Sequence, residues 1–299
     1  MKDLSIIIVN FNTKDFVIAC IRSIISNYSN EISSQEFEII VVDNNSIDDS
    51  AHSLEKIKEI TLIRNSQNVG FSKANNIAIK KSSGRYVLFL NPDTIVNKDT
   101  LPKLIEFMDE HPQAGAASCK VLLPNGKIDE ASHRGFPTPW RTFTHFSGIW
   151  RFFRKSNFWN GYYQGFENLN KTHKVDVIAG AFMFVRREAG ESVGWWDEDY
   201  FFYGEDIEFC WDLNEKGWDV YYYPDVSVLH FKGVSAGIKK ISKEITTADK
   251  ETRKIATIHR FNAMTIFYNK NLKDNYPFFI NFLVFAAINI KLKLRLIKL

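Results

Sequence analysis

At 299 residues, with 45% hydrophobic and 24% charged residues, the chain has ample material for a core, enough for one large α/β domain with an appendage, which excludes a disordered or fibrous protein. The formal net charge of +3 hides an asymmetry, because Lys291, Lys293, Arg295 and Lys298 lie in the last nine residues and the remainder sums to −1. A nucleic-acid binder carries its excess in the body of the domain, so nucleic acid is excluded as a partner, whereas a basic end beside apolar residues suits an anionic membrane surface.

Residues 4–123 alternate short β-rich runs with longer helical patterns, as in a mostly parallel sheet covered by crossover helices. The runs predict strands at 4–10, 37–43, 60–65, 85–90 and 114–122. Helices are expected over Thr13–Tyr28, Asp48–Glu59, Ser72–Ser82 and Lys98–Glu110, with Thr13 and Ser72 as N-caps. This half, 1–123, reads as nucleotide-binding. Residues 131–166 differ, with five basic residues, no acidic ones and twelve aromatic rings, and are expected to form an irregular insertion. Val175–Arg187 then resumes a strand pattern, Glu205–Lys216 a helix, and Val220–Tyr223 with Val226–His230 two short strands around Pro224-Asp225. The second half, 124–238, completes the domain, and 239–299 forms a helical extension.

Cys20, Cys119 and Cys210 are few, odd in number and far apart, which excludes a disulfide framework or zinc knuckle and fits a reducing cytosol. Met1-Lys2-Asp3 leads straight into a strand pattern rather than a secretory signal, so the expected location is the cytoplasm, at the inner face of the cell membrane.

Chemistry gathers at the strand ends, where α/β sheets bind ligands. Asp43 follows Glu38-Ile39-Ile40-Val41-Val42 and can accept a hydrogen bond from a base or ribose, although turn formation explains it equally well. Asn68-Val69-Gly70-Phe71 opens the next helix, where glycine permits a tight turn and backbone N–H groups can face a phosphate. No Gly-x-Gly-x-x-Gly or Walker-type loop is present, which argues against a dinucleotide dehydrogenase or a P-loop ATPase. Asn91-Pro92-Asp93 closes Tyr86–Leu90 and sets a carboxylate where Mg²⁺ or Mn²⁺ could bridge a diphosphate; a simple Pro-Asp turn is the competing reading. Glu205-Asp206 opens a helix near Glu208 and Asp212, so clustered carboxylates would raise one another's pKa and favour a proton acceptor, for which Asp206 is the choice and Glu205 its companion. His230 ends a strand-like run and is a plausible Mn²⁺ ligand, although a lone histidine is more often structural.

These segments, from Ser5–Asn12 through Val42–Ser46, Asn68–Asn75, Leu90–Thr94 and Gly194–Glu198 to Gly204–Asp206, resemble family 2 glycosyltransferases of the GT-A fold, in the rhamnosyltransferase-like branch. The resemblance covers about residues 4–235. It implies that the segment with Val9, Asn10 and Asn12, together with Asp43, holds the nucleotide base, that Asn75 lies near the ribose or diphosphate, and that Asp93 and His230 hold the metal; Asn68, Gly70 and Asn91 are counted with the donor-binding residues. It also implies Asp206 as base in a single in-line, inverting displacement. Asn91 stands where many relatives have the first Asp of an Asp-x-Asp motif, which removes one negative charge from the metal site.

The expected reaction is transfer of a sugar, dTDP-rhamnose ahead of UDP-hexoses as donor, to a glycan acceptor on polyprenyl diphosphate, in synthesis of a bacterial surface polysaccharide such as O-antigen. Arg134 is a candidate phosphate contact, Trp140 and Trp159 candidate sugar platforms, and Trp196 and Asp197 further acceptor-side candidates. Tyr276–Ile290 is 15 residues, about 22 Å as a helix and short of the ~30 Å hydrocarbon core, so an interfacial helix is expected; a spanning helix extended by snorkelling Lys side chains and a contact between copies of the chain are the alternatives. The competing functions are a sugar-phosphate nucleotidyltransferase, which would need a phosphate loop near the N-terminus, and a non-catalytic glycan-binding or membrane-scaffold subunit, which would have lost the carboxylates.

Overall fold

The computed structural model describes residues 2–238 and 245–298. A nine-stranded sheet begins with the apolar runs legible in the sequence: β1 (Lys2–Asn10), β2 (Phe37–Asp43), β3 (Ile60–Arg64) and β4 (Gly84–Leu90). Leu4, Ile6, Ile7 and Ile8 are all fully buried, so β1 has no polar face to turn to water and must lie inside a sheet covered on both sides. It pairs in parallel with β2 and β4, setting Asn10 opposite Asp43 and Ile8 opposite Leu90. The carboxyl ends of these strands therefore fall on one edge.

The crossover helices are α1 (Lys14–Asn27), followed by the short α2 (Ser29–Ser33), then α3 (Ser50–Leu54) and α4 (Phe71–Ile79). Thr13 does precede α1, but its hydroxyl donates to Asn10 Oδ1 at 2.7 Å instead of capping the helix. Ser72 lies inside α4, whose N-cap is Gly70, and α3 has only five residues of the expected 48–59 helix.

Beyond β4 the sheet ceases to be parallel throughout. A three-residue strand not anticipated from the sequence, β5 (Thr94–Val96), is followed by α5 (Thr100–Glu110) and β6 (Ala114–Leu122). The aromatic insertion is partly helical, with α6 (Pro139–Ser147) capped by Thr138 and α7 (Asn157–Asn160) capped by Ser156. Then come β7 (His173–Lys174), β8 (Phe182–Arg186), α8 (Arg187–Ser192), α9 (Glu205–Glu215) and β9 (Asp219–His230). Only the end of the expected 175–187 strand is extended in the sheet. The two strands expected around Pro224 are one strand, because a register shift opposite Cys119 and Lys120 absorbs the residue that cannot donate to the ladder.

The strand order is β3-β2-β1-β4-β8-β6-β9-β5, with β7 also on β9. β8 runs antiparallel to both β4 and β6, and β6 and β9 are parallel, so both halves of the chain share one sheet. One face packs its apolar side chains on α1 and α5, and the other on α4, α8 and α9. The boundary expected at residue 239 falls at 239–244, outside the described residues. Afterwards α10 (Lys250–Phe267) and the 20-residue α11 (Phe278–Ile297) lie beside the domain, with Phe267, Tyr268 and Leu272 packed against Phe136, Ile207 and Trp211. Among the described residues no helix is long and apolar enough to cross a membrane.

Candidate active site

The edge where β1, β2 and β4 end opens into a cavity of about 1480 Å³. One wall is the loop system after β1, β2 and β3. Asn10 Nδ2 donates to Asp43 Oδ1 at 2.9 Å and to Ser46 Oγ at 3.0 Å, and Ser46 N–H donates to Asp43 Oδ2 at 3.1 Å. Asn12, in the left-handed region at φ 53°, accepts from Ile47 N–H at 2.8 Å. Asn10, Asn12, Asp43 and Asn75 thus brace the wall and do not line the cavity; Asn75 donates to Phe71 O at 3.0 Å. Val9, Asn44, Asn68, Gly70 and Asn91 do line it.

Asn44 joins this wall to the glycine turn: its Nδ2 donates to Asn68 Oδ1 at 2.8 Å, and its Oδ1 accepts from Val69 N–H at 3.1 Å. Gly70 takes φ 87°, and a Cβ there would stand 2.6 Å from Phe201 O, so the turn requires glycine on both counts.

The floor is a buried acidic corner. Antiparallel pairing sets Thr94 opposite His230, which brings Asp93 against the end of β9. His230 Nε2 lies 3.2 Å from Asp93 Oδ1 and Nδ1 lies 3.7 Å from Asp129 Oδ2, yet neither ring nitrogen has hydrogen-bond geometry to a partner. Lys232 pairs with the other oxygen of Asp129. Burial pulls the His230 imidazole down, but Asp93 and Asp129 outweigh it and push it up to about 9. Burial likewise opposes ionisation of Asp93, while His230 and the Val234 N–H hold its carboxyl below the usual carboxylate range. Positive charge is therefore favoured here, as a proton or as a metal ion.

Among the described residues no group of three or more His, Cys, Asp or Glu is placed to hold a metal by itself. Asp93 and His230 form a two-ligand corner, which fits a divalent ion that completes its shell with substrate oxygens and water. The orphaned Nε2 of His230, on the Asp93 side, is what such an ion would satisfy, and Asp129 is placed to orient the imidazole from behind through Nδ1. Sequence reading missed Asp129, because Asn125-Gly126-Lys127-Ile128-Asp129 reads only as a turn.

The opposite wall is the start of α9. Gly204, at φ 85°, turns the chain so that Glu205 and Asp206 enter the cavity at the helix N-terminus. Arg134 Nη2 donates to Asp206 Oδ2 at 2.6 Å and Gly180 N–H donates to the same oxygen at 3.4 Å, leaving Oδ1 without a bond among the described residues. Asp206 holds Arg134 above its ordinary range although burial opposes the charge. Burial first, and then the charge of Asp206, push the Glu205 carboxyl up to about 8, and its Oε2 has no partner. The protonated form of Glu205 is thereby favoured, while Arg134 forms its ion pair with Asp206.

Three acceptor-side candidates, Trp196, Asp197 and Trp159, do not line the cavity. Trp196 is a core residue, 2% exposed, with its ring 4.8 Å from Phe89 and 5.0 Å from Phe209 between centroids. Asp197 is tied to Lys270 and to the Asp199 N–H and does not line the cavity. Trp140 does line it, held by Nε1 donating to Phe158 O at 2.8 Å, whereas Trp159 stacks on Phe153 away from the lining. Arg134 is on the lining too, engaged by Asp206.

Residues 5–194 match the glycosyl transferase family 2 profile, more than half of the chain. The chain belongs to glycosyl transferase family 2. This is a family of inverting hexosyltransferases, and the matched stretch includes Asp43, Gly70 and Asp93 but ends before Glu205, Asp206 and His230. Among curated proteins the chain is 28% identical over 212 residues to N-acetylglucosaminyl-diphospho-decaprenol L-rhamnosyltransferase of Mycobacterium tuberculosis, covering 67% of this chain and 68% of that one. It is 28% identical over 176 residues to rhamnosyltransferase WbbL of Escherichia coli K12, covering 54% and 61%. Among solved structures, the mannosyltransferase PcManGT of Pyrobaculum calidifontis, in complex with GDP-Man and Mn²⁺, superposes with a TM-score of 0.58 at 16% identity, over 98% of this chain and 71% of that one. The fold of this glycosyltransferase is accordingly GT-A-like, with a mixed, mostly parallel sheet.

Proposed function

We propose that this glycosyltransferase moves a rhamnosyl group from dTDP-rhamnose to a hydroxyl of a glycan acceptor carried on polyprenyl diphosphate, with UDP-hexoses next among donors. In this reading residues 1–238 carry the chemistry, and 239–299 serve the lipid side. The observation that carries it is the shared cavity, which has the Asp93–His230 corner on one side and Glu205–Asp206 on the other. That volume exceeds the ~300–1,000 Å³ usual for one ligand and leaves room for two substrates. The two rhamnosyltransferase relatives support the choice of sugar.

Asp43, Asn10 and Asn12 shape the base-binding wall, and the Gly70 turn presents backbone to the diphosphate. A divalent ion held by Asp93 and His230 would supply positive charge to the departing nucleoside diphosphate. Asp206 Oδ1 accepts the proton of the acceptor hydroxyl as its oxygen bonds to the anomeric carbon and the bond to the diphosphate breaks, which inverts that carbon. Arg134 fixes the rotamer of Asp206 through Oδ2, and Glu205, keeping its proton, adds no second negative charge.

The test has two parts. A thermal-shift panel of dTDP-rhamnose, dTDP, UDP-glucose and UDP-N-acetylglucosamine, with and without Mn²⁺, should show stabilisation by the thymidine compounds first; no stabilisation by any nucleoside diphosphate refutes the reading. Asp206→Asn should lower turnover by about 10²–10⁴-fold with donor binding retained, and unchanged turnover removes Asp206 as base.

A further inference from the structure

The cavity does not end at the catalytic carboxylates. It continues between α6 and the pair α10–α11, where Phe143, Phe146, Met264, Phe267, Leu283 and Ala287 line it. These six side chains are all apolar and form a surface suited to hydrocarbon. The same lining includes Arg260 of α10 and Lys291 of α11, both half-buried. Among the described residues neither forms an ion pair, whereas Arg134, Lys232 and Lys270 all do. The Lys291 ammonium lies 3.0 Å from the centroid of the Phe146 ring, which holds it at the channel wall.

The field of these cations reaches the neighbouring groups. Burial, followed by Lys291, Arg260 and Arg151, pushes the His145 imidazole down to about 4, and Lys291 itself is lowered by burial and by Arg295 and Arg260. Cations gathered without carboxylates inside an apolar channel repel one another, and an anion would relieve that repulsion. Phe146, beside Lys291, is itself 45% exposed, so the channel opens to solvent at this end.

We propose that Arg260 and Lys291 form an anion subsite for the phosphate groups of an acceptor whose hydrocarbon chain lies in the channel between α6 and α10–α11. The acceptor is then read along its length in three chemistries: a sugar hydroxyl at Asp206, phosphate at Arg260 and Lys291, and isoprenoid-like chain on the aromatic and aliphatic walls. This rests on the glycosyl-transfer reading of the same cavity. The donor's phosphates have their own place at the Gly70 turn and the Asp93–His230 corner, and a bulk lipid headgroup would sit outside the cavity mouth, not on its lining.

The experiment measures binding of farnesyl diphosphate to the full-length protein by tryptophan fluorescence, without metal and below the concentration at which the ligand self-associates. Farnesol and inorganic pyrophosphate are the single-chemistry controls. Farnesyl diphosphate should bind at least about tenfold more tightly than either control. Arg260→Gln with Lys291→Gln should abolish that advantage, leave farnesol binding unchanged, and leave Mn²⁺-dependent dTDP binding unchanged, which also reports an intact fold. Arg260→Lys with Lys291→Arg should restore most of it. Equal affinity for farnesol and farnesyl diphosphate overturns the proposal, as does an affinity that the double glutamine variant does not change. Displacement of farnesyl diphosphate by dTDP also overturns it, because the phosphates would then be in the donor site. In a parallel arm with phosphatidylglycerol vesicles, a loss of vesicle binding in the glutamine variant with farnesyl diphosphate binding intact assigns the two cations to a lipid surface and overturns the subsite. Failure of dTDP to bind in the wild type would count against the glycosyl-transfer reading, and is scored separately from the farnesyl arms.

Discussion

Glu205→Gln should make the protein more stable, by an amount that grows with pH. Glu205 is 8% exposed, and its carboxyl is pushed from 4.5 up to about 8 by burial and by Asp206, with Arg134 opposing. In the unfolded chain the group loses its proton near 4.5, while the folded protein holds it until about 8. Between those values the folded state binds more protons than the unfolded state, so stability falls as pH rises across the window. The slope reaches at most about 1.4 kcal/mol per pH unit for one group, so the loss in wild type grows to several kcal/mol across the window. Glutamine has no proton to lose and keeps a similar shape. Urea unfolding of both proteins at matched ionic strength, near pH 5 and near pH 9, reads the Glu205 carboxyl together with its interaction with Asp206, because titrations remote from that pair are common to both. The two proteins should be close in stability at the lower pH, and the variant should be several kcal/mol ahead at the higher one. A stability difference that is the same at both pH values would refute the assignment of a proton to Glu205.

Three further outcomes follow from the geometry. Asp93→Asn should weaken Mn²⁺-dependent nucleotide binding roughly tenfold or more, given that even outer-shell changes reach that scale; calorimetric titration of dTDP with and without Mn²⁺ reads it, and an unchanged metal dependence would place the ion elsewhere. Trp196→Ala should cost about 3–5 kcal/mol of stability because it empties a site packed by Phe71, Phe89 and Phe209; a normal denaturation midpoint with a raised acceptor KM would return Trp196 to the cavity surface. Gly70→Ala should cost at least about 1–3 kcal/mol, since the new methyl meets the Phe201 carbonyl at 2.6 Å in a backbone region that alanine avoids; a midpoint equal to wild type would mean that the turn can relax.

Strands buried on both faces announce themselves: the runs in β1, β2, β4 and β6 are continuous because no side of them meets water, and the expected bounds fall within two residues of those observed. The second half of the sheet was less legible. β5 has only three residues, and its pairing with β9 depends on chain more than a hundred residues away, which local composition does not encode. For the same reason Asp93 and His230 could be nominated singly, as an acid and an imidazole at strand ends, while Asp129 behind them could not. Trp196 and Asp197 illustrate the opposite error. They sit in a conspicuous motif, but the tryptophan is bulk for the core and the aspartate a counter-ion for Lys270. Lys291 entered the sequence reading only as part of the basic tail and Arg260 not at all, because nothing local in α10 or α11 tells that these helices line the cavity.

The irregularity in β9 has a consequence for how the metal corner is addressed along the chain. Before it, Val220 and Tyr222 point to the face covered by α4 and α9, and Tyr221 and Tyr223 to the face covered by α1 and α5. After it the parity is reversed, and Val226 and Val228 join the second of these faces. The position of His230 is therefore a matter of counting: the alternation is reset once, at Pro224, and the histidine inherits the new phase. A single-residue deletion between Pro224 and Val226 would turn Val226, Val228 and His230 over together, so that the imidazole and the two core valines all face the wrong side of the sheet. Chains of this family that differ in length at that one bend would then differ in whether the corner has a histidine at all, even where the histidine is present in their sequence.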